Sequence, residues 1–126
     1  MTPGLFIALA LCGGLGAAAR YLLDGWVQRR TGGSYPWGTM LINLTGSLVL
    51  GFLTGLVTAR LAPPAWQLVL GTGFLGGYTT FSTASVETVR LLQDDRRQAA
   101  VLNGLGTLVG ATVAASVGLW CGVRLG

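Results

Sequence analysis

The sequence contains no histidine and no lysine, and only 10% of its 126 residues are charged. Without histidine, the chain alone offers neither a histidine ligand for haem nor histidine-based acid–base catalysis, so most enzyme classes lose their support. A soluble chain of this length needs more charges than this to cover its surface. These absences argue against a soluble enzyme and favour a membrane protein.

Cysteine and acidic residues are also scarce. Cys12 and Cys121 are the only two cysteines, and both lie within apolar runs, so no disulfide framework is expected. The formal net charge of +4 comes from eight arginines against four acids. Arginines near the ends of apolar runs usually contact lipid headgroups, so we expect membrane lipid as a partner and no nucleic acid.

The hydrophobic residues, 52% of the chain, are arranged in four long runs. Each run is near or above the ~20 residues that span a ~30 Å hydrocarbon core. The first run has no positive residue before it and is interrupted near its end by Arg20, so we interpret it as a mature helix and not as a signal peptide. The sequence predicts an all-α membrane protein, a single domain over 1–126 with four transmembrane helices at about 3–23, 37–59, 66–91 and 99–122.

Glycine is abundant, with 21 residues, and several glycines recur at the four-residue spacing that lets membrane helices approach closely. Any single pair is explained by packing within one subunit, but their number favours an oligomer. The pairs are Gly51 and Gly55, Gly73 and Gly77, and Gly106 and Gly110.

Polar residues inside the predicted spans need a partner or a water-filled path. Thr39, Asn43 and Ser47 recur every four residues and therefore lie on one face of the second helix, and Asn103 and Thr107 repeat the spacing on the fourth. Amide and hydroxyl groups without a mid-span acid suit an ion that is stabilised by hydrogen-bond donors. Asn43 is therefore a candidate pore or ligand residue.

The stretch GFLGGYTTFSTASVE, residues 73–87, is a poor membrane helix, with adjacent glycines followed by many hydroxyl residues. Two glycines cost roughly 2 kcal/mol relative to alanines in a helix. Broken membrane helices expose carbonyl groups and N–H groups that coordinate ions. We predict that the third helix is broken near 76–80, with a close crossing of unbroken helices as the alternative.

Three motifs resemble the Fluc (CrcB-type) fluoride channels of bacteria and archaea: GGLGAAARY at 13–21, WGTMLINLTGSLVLG at 37–51 and GFLGGYTTFST at 73–83. The resemblance implies a homodimer whose four-helix subunits are inserted in opposite orientations, an antiparallel dual-topology homodimer. It also implies two fluoride pathways along the interface and a structural sodium ion at the centre. The expected location is the plasma membrane of a bacterium or archaeon, which is the inner membrane of a Gram-negative cell, crossed several times.

The resemblance also assigns roles to individual residues. It places Arg20 in an aqueous vestibule, puts Asn43 beside the ion-contacting Phe81, and aligns the backbone carbonyls of Gly76 and Thr79 with the sodium ligands. The edge of an aromatic ring is its positive part, so Phe81 can face an anion without attracting a cation. The polar residues expected to complete the fluoride pathway are Thr39, Ser82, Thr83 and Thr107.

Two positions depart from the family pattern. The family usually has a second phenylalanine where this chain has Ala84, and a tyrosine where it has Asn103. The paired aromatic arrangement is therefore incomplete, and some family members work as two different subunits. The motifs predict a passive, fluoride-selective channel that exports cytoplasmic fluoride and relieves its toxicity. The alternatives are a proton-coupled exporter that uses Glu87 and Arg20, and a non-conducting partner subunit of a heterodimeric channel.

Arginine placement bears on orientation. The first and third loops carry four arginines, at 29, 30, 96 and 97, whereas the side of the second loop carries Arg60 and Arg124. The positive-inside rule places the first and third loops in the cytoplasm. The family's dual topology expects a nearer balance, and we favour dual insertion because the interface motifs require antiparallel partners.

Overall fold

The computed structural model describes residues 2–125, and every regular element within that range is helical. Three helices are long and apolar enough to cross a membrane: α1, α2 and α6. The region between α2 and α6 is divided into shorter elements. In chain order the elements are α1 (Pro3–Thr31), α2 (Trp37–Thr58), α3 (Pro64–Trp66), a π-helical segment (Gln67–Leu75), α4 (Gly76–Tyr78), α5 (Phe81–Gln93) and α6 (Arg97–Arg124).

Helix α1 ends at Thr31, eight residues beyond the expected end near Leu23. The expectation placed the end where the apolar run stops, but the polar residues that follow remain helical. Gly32 ends the helix because it adopts φ +83°, and its N–H bonds to the carbonyl oxygen of Gln28. The change from apolar to polar residues therefore shows where the apolar run ends, but the helix continues beyond that point. The fourth span is likewise longer than expected, over Arg97–Arg124.

Helices α2 and α6 form the closest helix pair and run parallel, because the contacts between them advance along both chains together. A methyl group at Gly51 would overlap the backbone of Ala115, and one at Gly118 would overlap the carbonyl oxygen of Leu48. Gly55 similarly faces the backbone around Leu119. Large side chains at these glycines would force the helices apart.

The glycine pairs are thus used inside one chain, which corrects their interpretation as evidence for an oligomer. Gly73 and Gly77 lie against the backbone of α1 around Leu9 and Gly13. Gly106 and Gly110 contact side chains of α2. All three pairs contact a neighbouring helix of the same subunit, so they carry no information about a second copy.

Within the break predicted near 76–80, the chain does not leave helical geometry at Gly76. Its φ of −63° and ψ of −38° are those of a right-handed helix. The chain becomes extended at Thr79 and Thr80, between α4 and α5. Gly77 is required for another reason: a methyl group there would overlap the carbonyl oxygen of Gly13.

The two adjacent glycines therefore make a matched pair for mutation. We expect Gly77→Ala to lower the free energy of unfolding by about 1–3 kcal/mol, because a buried methyl group without room must displace backbone. Gly76→Ala should be neutral or slightly stabilising, since the nearest atom to an added methyl is 3.9 Å away. Thermal unfolding in detergent measures both. Equal midpoints for the two variants would contradict the assigned contact.

Candidate functional site

Two consecutive residues interrupt the helix in the middle of the third apolar run. Thr79 has φ −80° and ψ 154°, and Thr80 has φ −149° and ψ 113°, both extended. α4 ends just before them and α5 begins just after them. The peptide groups here cannot form all the usual helical hydrogen bonds, so other groups of the protein must supply partners.

Asn43 supplies two of those partners. The N–H of Thr80 donates to Oδ1 of Asn43 at 2.8 Å, and Nδ2 of Asn43 donates to the carbonyl oxygen of Thr80 at 3.0 Å. The amide thus pairs with both sides of one residue, as a neighbouring strand would. Asn43 is only 8% exposed, so these bonds are shielded from water. One N–H of its Nδ2 group remains to donate elsewhere.

This pairing changes the bonding of the carbonyl groups around the interruption. In a continuous helix the N–H of Thr80 would bond to Gly76 and the N–H of Thr83 would bond to Thr79. Here the first donates to Asn43, and the second donates to Oγ1 of Thr80 at 3.2 Å. The carbonyl oxygens of Gly76 and Thr79 therefore lose their helical donors. The neighbouring carbonyl of Gly77 accepts from Nε of Arg20 at 3.4 Å.

The hydroxyl groups near the interruption bond mostly to the local backbone and to each other. Oγ1 of Thr79 donates to the carbonyl oxygen of Leu75 at 2.9 Å. Oγ1 of Thr80 caps α5 by accepting from Thr83, and it also contacts Ser82 at 3.4 Å. Thr80 thereby stabilises the start of α5, in the way that threonine caps an ordinary helix.

A groove of about 320 Å³ runs beside the interruption between α2, α5 and α6. Of the residues predicted from the sequence, it brings together Asn43, Thr79, Phe81 and Thr107. Phe81 is 87% exposed and lies at its edge. The remaining polar lining residues are Ser47, Thr80, Ser85, Thr88, Asn103 and Thr112.

Five other predicted residues do not line this groove: Arg20, Thr39, Gly76, Ser82 and Thr83. Thr39 is buried on α2 one turn before Asn43 and lies near Glu87. Arg20 reaches the interruption from α1 through its bond to Gly77. Sequence reasoning missed Ser85 and Thr88, although they continue the hydroxyl-rich run at helical spacing from Phe81 and Ala84.

Asn103 connects α6 to α5 and is almost fully buried, with 1% of its surface exposed. Its Nδ2 donates to Oγ1 of Thr88 at 2.8 Å and approaches the carbonyl oxygen of Ala84 at 3.3 Å. Its Oδ1, like Oγ1 of Thr107, is enclosed and has no hydrogen-bond partner among residues 2–125. The two positions that depart from the family pattern, Ala84 and Asn103, are therefore in direct contact.

We expect Asn103→Leu to lower the free energy of unfolding by about 1–2 kcal/mol, because it removes the hydrogen bonds that link α6 to α5. Thr88 keeps its own bond to the Ala84 carbonyl, so α5 itself should stay helical. Thermal unfolding in detergent measures the change. Thr112→Val is the matched control, because Thr112 lines the same groove but bonds only within α6. A similar loss in both variants would show that the link between the helices is not the cause.

A second polar group lies toward the end of the bundle where α1 ends. One carboxylate oxygen each of Asp24 and Glu87 and the amide oxygen of Gln28 are enclosed, without a hydrogen-bond partner among residues 2–125. Burial raises the pKa of the nearby Tyr35 hydroxyl, and the Glu87 carboxylate raises it further. Tyr35 therefore stays uncharged at neutral pH.

An apolar groove of about 520 Å³ lies on another side of α2, against the π-helical segment. Its polar feature is the pair formed by Oγ1 of Thr45 and the hydroxyl of Tyr78, 3.1 Å apart. The other lining residues are Gly46, Val49, Phe52, Leu53, Leu56, Trp66, Leu70, Phe74 and Leu75.

Comparison with known proteins gives a consistent result over almost the whole chain. The family described as "CrcB-like protein, Camphor Resistance (CrcB)" matches residues 7–119. A protein of Leifsonia xyli subsp. xyli named "Fluoride-specific ion channel FluC 1" is 53% identical over 122 residues, which are 97% of this chain and 89% of the relative.

More distant relatives carry the same kind of name. "Fluoride-specific ion channel FluC 2" of Mycobacterium bovis is 41% identical over 120 residues, 95% of this chain and 92% of the relative. "Fluoride-specific ion channel FluC 1" of Streptomyces avermitilis is 44% identical over 106 residues, 84% of this chain and 86% of the relative.

Proposed function

The chain belongs to the CrcB family, and on this basis we propose that it is a passive fluoride-specific channel, which exports cytoplasmic fluoride and relieves its toxicity. The resemblance inferred from the three sequence motifs is thereby confirmed at the level of the family. The protein crosses the membrane several times, and its relatives are bacterial. We assign it to the plasma membrane, which is the inner membrane of a Gram-negative cell.

The observation that carries this function is the chemistry of the groove beside the interruption. Its described lining contains hydroxyl groups, amide groups and one aromatic ring, and it contains no carboxylate or arginine. Fluoride is small and strongly hydrated, so a path must offer donors that replace water without holding the ion. Asn43 retains one N–H, Thr107 has an unbonded hydroxyl, and Phe81 presents ring-edge C–H groups.

Fluoride efflux from liposomes tests this function. Purified protein reconstituted in vesicles loaded with fluoride should release it quickly, whereas vesicles loaded with chloride should retain their anion. The ion-selective electrode that follows fluoride release can be paired with a pH-sensitive dye. Efflux that is equal for both anions, or absent, would contradict the proposal.

A proton-coupled exporter is the second candidate, and one observation favours it. Asp24 and Glu87 each have an enclosed carboxylate oxygen with no partner among the described residues, and a carboxylate enclosed in this way can take up a proton. Coupling requires proton movement in fixed ratio to fluoride. A constant internal pH during fluoride efflux, with the membrane potential clamped, would exclude this candidate.

We also propose a structural sodium ion held by the backbone carbonyls of Gly76 and Thr79. The proposal is supported by the displaced hydrogen bonds, since both carbonyls have lost their helical donors to Asn43 and Thr80. Hard oxygen ligands suit a hard alkali cation. The ion supplies a buried positive charge near the groove, which favours an anion there. The midpoint of thermal unfolding, measured in sodium salts and in N-methylglucamine salts, tests the site. It should be higher in sodium, and equal midpoints would contradict the site.

The assembly that we propose is an antiparallel dual-topology homodimer, in which the interrupted third helix forms one span. It is supported by Phe81, which is 87% exposed although it lies at the groove, and by the apolar groove beside Tyr78. A second copy would cover both. A different, homologous subunit would cover them equally well, and size-exclusion chromatography of the chain expressed alone separates the two cases.

Orientation is tested by labelling one cysteine from each side of the membrane. Arg60→Cys, in a background where Cys12 and Cys121 are alanine, places the label at the exposed end of α2. A dual-topology protein reacts with an impermeant maleimide partly in intact cells and completely after permeabilisation. Labelling from one side only would contradict dual insertion.

A further inference from the structure

Two exposed arginines stack on tryptophan rings at the ends of long helices. The guanidinium of Arg30 lies 4.9 Å from the ring centre of Trp26 on α1, and that of Arg124 lies 4.8 Å from Trp120 on α6. The spacing is the same in both pairs, four residues, which places the two side chains on one helix face. Trp26 is 50% exposed and Trp120 is 59% exposed.

The two stacks lie at opposite ends of the bundle. A five-residue connection, 32–36, joins α1 to α2, so these helices run in opposite directions. α2 and α6 run parallel, because Gly51 of α2 contacts Ala115 and Gly55 contacts Leu119. The end of α1 and the end of α6 therefore face opposite surfaces of the membrane.

The chemistry of a stacked pair suits a phosphate group at the membrane surface. The ring covers one face of the guanidinium, and the planar edge keeps its N–H donors. Those donors match the oxygens of a phosphate in bidentate geometry. Exposed tryptophan side chains prefer the headgroup level of a bilayer, so the arginine edge is held at the depth of lipid phosphates.

We propose that each Trp–Arg stack binds the phosphodiester group of a membrane phospholipid, one site at each membrane surface. The occupant is a lipid because the rings beside the guanidinium groups are apolar and exposed at helix ends that meet the bilayer surface. Stacking fixes the guanidinium before the lipid arrives, so less side-chain freedom is lost on binding than at an unstacked arginine.

Native mass spectrometry of the full-length protein, titrated with phosphatidylglycerol, tests the sites. We expect the lipid-bound fraction to fall about threefold or more in the double variant Arg30→Gln, Arg124→Gln, and by a similar factor in Trp26→Leu, Trp120→Leu, which keeps both charges. The matched control is Arg60→Gln, Arg97→Gln. It removes one arginine near each end of the bundle, at positions outside the two stacks, and should bind like the unmodified protein.

Several outcomes would overturn the proposal. Unchanged lipid binding in either stack variant would overturn it. An equal loss of lipid binding in the control variant would also overturn it, because it would indicate general charge attraction. Diacylglycerol lacks the phosphate and should bind weakly. If it binds as well as phosphatidylglycerol, the phosphodiester group is not what the stacks recognise. Inorganic phosphate that displaces the lipid completely would show a free-anion site instead. Size-exclusion chromatography of each variant confirms that the protein compared is folded.

Discussion

Phe81→Ile should reduce fluoride efflux by about tenfold or more, which corresponds to roughly 1.4 kcal/mol of barrier. Isoleucine keeps most of the volume but lacks the positive ring edge that can face an anion. Phe81 is 87% exposed on the single chain, so the substitution removes little packing within it. The rate of fluoride efflux from liposomes should therefore fall strongly in this variant, whereas the yield of assembled protein should fall only slightly.

The matched control for this variant is Phe6→Ile. Phe6 is an exposed phenylalanine, 60% accessible, on α1 and away from the groove. We expect efflux from this variant to equal that of the unmodified protein. If Phe81→Ile releases fluoride as fast as the unmodified protein, the Phe81 ring has no part in conduction. An equal loss of efflux in both phenylalanine variants would indicate an effect on membrane insertion.

Asn43→Leu should cause both unfolding and loss of conduction. It leaves the N–H and the carbonyl of Thr80 without their partners, and each unsatisfied buried group costs about 1–3 kcal/mol. The expected destabilisation is therefore roughly 2–4 kcal/mol. Thermal unfolding in detergent and fluoride efflux measure the two effects.

Asn43→Asp separates the two roles of this residue. A protonated carboxyl group can accept from the Thr80 N–H and donate to the Thr80 carbonyl, as the amide does, but it has no second donor. We expect stability within about 1 kcal/mol of the unmodified protein at about pH 4, where the carboxyl group of the unfolded chain is also largely protonated, together with strongly reduced efflux at neutral pH. Thr58→Ala is the control and should change neither, because Thr58 is exposed near the end of α2, lies outside the groove and donates to the carbonyl oxygen of Thr54. Full efflux in the aspartate variant would mean that Asn43 acts only on the backbone.

The position of the interruption could be predicted from the sequence only approximately. Hydroxyl residues and paired glycines indicated a poor helix near 76–80, and the extended residues are Thr79 and Thr80. The two glycines are themselves helical and do not form the break, and this was not predictable because local propensity cannot show what lies against a residue. Gly77 is needed by its contact with Gly13, a residue far away in the chain.

Asn43 shows the same limit for a polar residue. An amide at mid-span must have a partner, and this was predictable from its burial in an apolar helix. Its partner is the backbone of Thr80, which is separated from it by 37 positions. Periodicity places residues on a helix face, but it does not identify which peptide group meets that face. The role of Asn43 in an ion path stays a prediction.

The bonds between Asn43 and Thr80 have a consequence for the order of assembly. Both bonds lie within one chain, so the extended residues are held before any second subunit arrives. The entropy lost in ordering them is then part of the folding of the monomer and does not oppose association. The interruption is preorganised: in the homodimer proposed above, the two subunits need only dock, and the proposed cation can be the last component to join.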